Sequence, residues 1–106
     1  MLIELRQYQS QPGKRDELVA MMENEIIPFQ NAKGMVIVGS FIDEENPDAY
    51  VWIRRFDDEE QRKAQYDAVY KSDTWKNDIG PRIPAVLIRE QIKVTRLIPT
   101  PRSVIR

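Results

Sequence analysis

The stretch AYVWIRRFDD, residues 49–58, alternates Tyr50, Trp52, Arg54 and Phe56 on one side with Val51, Ile53 and Arg55 on the other. Alternation with period two, rich in aromatic and β-branched residues, predicts a strand. Both faces are apolar enough to be covered. Arg54 and Arg55 must point to opposite faces, so at most one serves a pocket, while the other pairs with a carboxylate or lies at a rim. The closing FDD ends the strand and starts a helix, with Asp57 or Asp58 as cap and Glu59 and Glu60 in the positive first turn.

Working outward, the acidic turn DEENPD (43–48) joins this strand to GMVIVGSFID, a β-branched run that predicts a strand from Met35 to Ile42, so the two form a hairpin. Upstream, LIELRQYQ (2–9) alternates Ile3, Leu5 and Gln7 with Glu4, Arg6 and Tyr8, as a half-buried strand does. Pro12 and Gly13 turn the chain into a helix expected from Lys14 to Ile27, ended by Pro28, with Leu18, Met21, Met22 and Ile26 at helical spacing. Downstream of the cap, Ala64, Ala68 and Val69 give a second helix its apolar face. A break at Ser72 and Asp73 leads to an irregular stretch, with Trp75, Ile79, Ile83 and Leu87 interrupted by Gly80, Pro81 and Pro84. The last strand is expected from Leu87 to Ile98, followed by a tail, 99–106. No internal repeat shows beyond the split βαβ pattern.

Strand, helix, strand, strand, helix, strand in one domain of residues 1–106 predicts an α+β, ferredoxin-like βαββαβ fold with a four-stranded antiparallel sheet. Helices on one face leave the other apolar and uncovered, a patch that soluble monomers rarely expose. A homodimer joined through the sheet faces, a dimeric α+β barrel, is the expectation, with the tail as an arm toward the partner.

Composition narrows the chemistry. The 106 residues are 42% hydrophobic and 31% charged, with 16 Lys plus Arg against 17 Asp plus Glu. Neither sign gathers into a run that would track a phosphate backbone, so nucleic acid is not expected as a partner. No apolar run reaches the roughly 20 residues of a membrane helix, and charge at Glu4 and Arg6 is wrong for a signal peptide, so a cytoplasmic protein without membrane insertion is expected. The chain has no Cys and no His, which removes disulfides, thiolate nucleophiles, triad bases and imidazole ligands together. The 4 glycines are scattered and form no phosphate loop. No cofactor is expected.

The segments IELRQYQSQPGKRDELV, IIPFQ, GSFIDEENPDAYVWIRRFDDEEQR and YKSDTWKNDI together resemble the NIPSNAP family of dimeric α+β barrels, over nearly the whole chain up to Ile98. The resemblance implies a ferredoxin-like subunit that pairs face to face. The wider superfamily holds cofactor-free monooxygenases, isomerases, haem-handling proteins and binding modules, so fold does not choose the function. Its haem relatives use histidine, which this chain lacks.

Four residues are expected to line a ligand site: Tyr8, Trp52, Arg54 and Trp75. With Arg6, the aromatic and guanidinium groups on neighbouring strands suit a planar anionic molecule. The plainer reading pairs Glu4 with an arginine across the strands and makes Trp52 core or dimer interface, and Trp75 an anchor of the irregular helix. Tyr66 and Tyr70, four residues apart, either face the cavity as proton donors or form a surface pair. DEENPD and FDDEE are read as turn and cap chemistry rather than a calcium site. The expected function is binding of a small, partly apolar organic molecule between sheet and helices. A cofactor-independent monooxygenase or isomerase, and a non-catalytic interaction module, stand as alternatives.

Overall fold

The computed structural model describes residues 1–106. Four strands, β1 (Leu2–Gln9), β2 (Val36–Ile42), β3 (Ala49–Phe56) and β4 (Lys93–Leu97), form one antiparallel sheet in the order β2-β3-β1-β4. That is the ferredoxin-like arrangement expected from the element order. Glu4 stands opposite Arg54, Arg6 opposite Trp52 and Tyr8 opposite Tyr50, so the polar and aromatic residues of β1 and β3 share the helix-facing side. Asp58 caps α3 (Glu59–Tyr70) by accepting from the Gln61 amide at 2.7 Å. No helix is long and apolar enough to cross a membrane.

Two helical segments depart from the expected bounds. The first passes through Pro28: α1 (Arg15–Met21) continues as a π turn (Met22–Ile26) and then as α2 (Ile27–Ala32). The Ile27 amide reaches back five residues to the Met22 carbonyl, and this widened turn shifts the ladder where Pro28 supplies no N–H. The irregular stretch repeats the device. A π turn (Trp75–Ile79), closed by the Gly80 amide on the Trp75 carbonyl, precedes the short α4 (Gly80–Arg82), which carries Pro81.

The aligned turns expose a repeat that periodicity alone does not show: Asn24-Glu25-Ile26-x-Pro28 and Asn77-Asp78-Ile79-x-Pro81. Ile26 and Ile79 are both buried in the main core. Their acidic neighbours converge on one cation, since Arg82 donates to Glu25 at 2.6 and 3.0 Å and to Asp78 at 3.1 Å.

The last strand is shorter than expected. Only Lys93–Leu97 pairs with β1, while Leu87 makes an isolated bridge to Ser10 and Arg89–Gln91 forms a 3-10 turn. Leu87 and Ile92 turn inward to the core instead of joining the ladder. The tail folds back over the outer face of its own sheet, where Ile98, Pro99 and Ile105 meet Ile3, Leu5 and Ile53. Arg55 donates to the Arg106 carbonyl at 2.8 Å and pairs with Asp57 at 2.8 Å. Val36, Phe41 and Leu97 on that face stay exposed.

The end of α2 matters for the site. Gly34, at φ 93°, closes a Schellman turn in which the Met35 amide bonds the Gln30 carbonyl and the Gly34 amide bonds the Asn31 carbonyl, each at 3.0 Å. This turn fixes both Gln30 and Met35 against Arg54. Gly34→Ala places a side chain in the left-handed region and a Cβ at 3.1 Å from the Gln65 amide nitrogen. A loss of roughly 1–2 kcal/mol is expected, read as a lower urea midpoint with unchanged slope.

Candidate functional site

Arg54 is fully buried, and its five N–H donors all have oxygen partners. Nε and Nη2 donate to Glu4 Oε1 at 3.1 and 2.8 Å, and Nη2 also donates to the Tyr66 hydroxyl at 2.6 Å. Nη1 donates to Gln30 Oε1 at 3.1 Å and to the Tyr70 hydroxyl at 2.8 Å. The pair is therefore the cross-strand Glu–Arg bridge that sequence offered as the plainer reading. Arg54 belongs to the frame of the site and not to the cavity lining, which corrects its expected role as a ligand contact.

Glu4, also fully buried, is the hub. It accepts from Arg54, from Arg62 Nε at 2.7 Å and from the Tyr66 hydroxyl at 2.7 Å, with Arg6 at 3.8 Å. Burial raises a carboxyl's pKa, but here the Arg54 charge and the hydrogen bonds from Arg62 and Tyr66 outweigh it, holding Glu4 below its ordinary value. Burial pushes the phenols the other way: Tyr66 rises to about 12, with the Arg54 charge opposing, and Tyr8 is raised for the same reason. Both stay neutral at physiological pH.

Beside this network lies a cavity of about 210 Å³ between sheet and helices. Of its 14 lining residues 11 are hydrophobic, the composition of a small-molecule site. Trp52 forms part of its floor, with Tyr8 packed edge-on at 5.8 Å and 69°. Trp75, T-stacked on Tyr70 at 4.9 Å, and the exposed Arg89 lie toward the mouth. Ser72 starts that wall by accepting from the Trp75 amide at 3.1 Å, and Arg89 is pinned to the Gly80 carbonyl at 2.8 Å.

Three of the four expected residues, Tyr8, Trp52 and Trp75, line this cavity together. Tyr66 and Tyr70 line it too, so they are not a solvent-facing pair. Gln30 and Arg89 were not expected. Gln30 had only a weak signal, a polar residue directly after the apolar run that ends at Phe29, whereas Arg89 had none.

A NIPSNAP family model matches residues 3–103. The chain belongs to the NIPSNAP family. Solved structures of family members superpose closely. A NIPSNAP domain protein from Burkholderia xenovorans is 23% identical, with 97% of this chain and 98% of that chain covered and a TM-score of 0.84. A NIPSNAP family protein from Agrobacterium tumefaciens is 22% identical, with 99% and 98% covered and a TM-score of 0.85. An antibiotic biosynthesis monooxygenase is 20% identical, with 95% and 100% covered and a TM-score of 0.66, a likeness of fold. No curated protein matches the chain.

In this NIPSNAP domain, Glu4→Gln leaves the Arg54 charge buried without its counter-ion. A destabilisation of roughly 3–5 kcal/mol is expected at neutral pH. Because the folded pKa of Glu4 lies below its unfolded value, its contribution is complete above about pH 4.5 and is lost as pH falls through the folded value. Urea titrations of both proteins should therefore converge in acid, and a gap that persists there would contradict the assigned role of Glu4.

Proposed function

We propose that this NIPSNAP domain binds a small, partly apolar organic molecule in the cavity between sheet and helices. The observation that carries the reading is a pair of donors on fully buried cavity residues, Trp52 Nε1 and Gln30 Nε2, that have no protein partner. Gln30 must turn its oxygen to Arg54, which has only donors, so its amide N–H is left over. Leaving a buried donor unmade is costly, and an apolar cavity with a few convergent polar groups is how ligand sites are built. A cavity of about 150 Å³ admits benzene, so 210 Å³ suits one ring with a substituent.

Binding is favoured over proton-abstracting catalysis by the lining itself. It contains no carboxylate, Glu4 is occupied by arginines, and the phenol of Tyr66 is raised to about 12, chiefly by burial. A general base matched to neutral pH is lacking among these groups.

Both tryptophans of the chain line the cavity, so their indole N–H resonances report on it directly. Titrating ¹⁵N-labelled protein with a panel of single-ring compounds should shift the Trp52 indole peak saturably, and Ile26→Phe, which fills the cavity, should abolish the shift. Unmoved indole peaks across the panel would refute the reading.

We further infer a homodimer joined through the outer sheet faces. Val36, Phe41 and Leu97 supply exposed apolar area there, next to the area that the tail covers. Sedimentation should give two subunits for the native chain and one for Phe41→Glu, and a native monomer at micromolar concentration would end the proposal.

A further inference from the structure

We propose, resting on the cavity reading above, that the ligand is a monoanion: a single ring bearing one carboxylate or enolate-type oxygen group, with Arg6 as the residue that selects it. Two arginines stand on neighbouring strands facing the helices, and they differ in how fully they are used. Arg54 has every donor engaged. Arg6 makes two hydrogen bonds, Nε to the Tyr8 hydroxyl at 3.2 Å and Nη1 to the Tyr66 hydroxyl at 3.4 Å. Its Nη2 donates to no protein atom, and Arg6 lines the cavity while Arg54 does not.

Charge points the same way. Glu4 is one negative charge among Arg54 at 2.8 Å, Arg62 at 2.7 Å and Arg6 at 3.8 Å. Arg62 has a second acid, Glu59 at 3.2 Å. Setting Arg62 against Glu59 and Arg54 against Glu4 leaves Arg6 without a carboxylate of its own. A cation that shares its one carboxylate with two closer arginines, with a side chain only 14% exposed, is held at a cost that a bound anion relieves. Water can satisfy the open N–H groups, but it cannot cancel the charge.

The buried unpartnered atoms of the lining, Trp52 Nε1 and Gln30 Nε2, are both donors, and the less deeply buried Arg6 Nη2 is a third donor without a protein partner. The remaining unpartnered buried acceptor, Gln65 Oε1, lies outside the lining. Arg6 also stacks near Trp52 and Tyr8, at 5.6 and 5.7 Å from their ring centroids. A ring resting on the aromatic side can thus turn one oxygen group toward the guanidinium and the indole N–H, and a molecule carrying only donors would leave them unmatched.

Benzoate and benzamide, equal in shape and different in charge, separate this proposal from the broader one. With the Trp52 indole resonance as readout, benzoate should bind the native chain at least roughly tenfold more tightly than benzamide, as charge-assisted hydrogen bonds imply. Arg6→Met should bring the two within about threefold, chiefly by weakening benzoate, whereas Arg6→Lys, which keeps the charge, should retain the preference. Benzamide binding as tightly as benzoate overturns the proposal and leaves the cavity reading standing. A preference that survives Arg6→Met overturns the role of Arg6, and failure of both probes to move the resonance overturns both readings. If Arg6→Met does not fold, Arg6→Gln takes its place and should likewise bring the two probes within about threefold, and a preference that survives Arg6→Gln overturns the role of Arg6.

Discussion

A buried guanidinium with five donors imposes a demand that few surroundings can meet, and most of the interior answers it. Arg54 needs oxygen acceptors in its plane, and they come from β1 through Glu4, from the end of α2 through Gln30, and from α3 through Tyr66 and Tyr70. One side chain therefore ties the sheet to two helices, α2 and α3. The desolvation of Arg54 and Glu4 is offset only while that geometry is complete, which makes their network a source of specificity for one arrangement of helices on the sheet. Hydrophobic burial around Phe56, Val69 and Met35 then supplies area but little direction.

The same network shapes the cavity by consuming polar atoms on one side. Gln30 spends its oxygen, Tyr66 spends its proton on Glu4, and Arg54 spends everything. What is left facing the space between sheet and helices is mostly carbon, with a few donors. The Schellman turn at Gly34 belongs to this construction, because it ends α2 where Gln30 and Met35 both reach Arg54.

The element order, the hairpin, the Asp58 cap and the helix-facing side of β3 were readable because each follows from local rules: period two, turn chemistry and capping. The common facing of Tyr8 and Trp52 was legible for the same reason, since β1 and β3 are neighbours in the ferredoxin-like topology, whereas Trp75 reaches the cavity from the helical segment after Ser72. Arg54 was placed on the right face and given the wrong duty, because alternation tells which way a side chain points and not which partners reach it from 24 or 50 residues away. Pro28 misled for a different reason. Proline ends a regular α-helix, but an i to i−5 turn absorbs it, and spacing of apolar residues does not reveal such a turn. Leu87 and Ile92 look like strand residues in isolation, and the cavity wall outbid the ladder for them.

The two sides of the cavity are built to different standards. Its floor is a hydrogen-bonded sheet, whereas the wall is one helical run of mixed π, α and 3-10 turns through Ala85, followed by the 3-10 turn Arg89–Gln91. That wall packs Ile79, Ile83 and Leu87 into the core but meets the sheet's backbone only near the end of β1, through the Gln11 amide on the Val86 carbonyl and the Ile88 amide on the Gln9 carbonyl, and its outer side is held by Arg82 on Glu25, a contact that solvent screens. Opening should therefore be local, with the wall loosening while the sheet keeps its register, and amide protons of residues 75–91 should exchange long before those of β1 and β3. Under the proposed binding reading, a ligand's entry then needs no movement of Arg6 or Trp52 on the sheet.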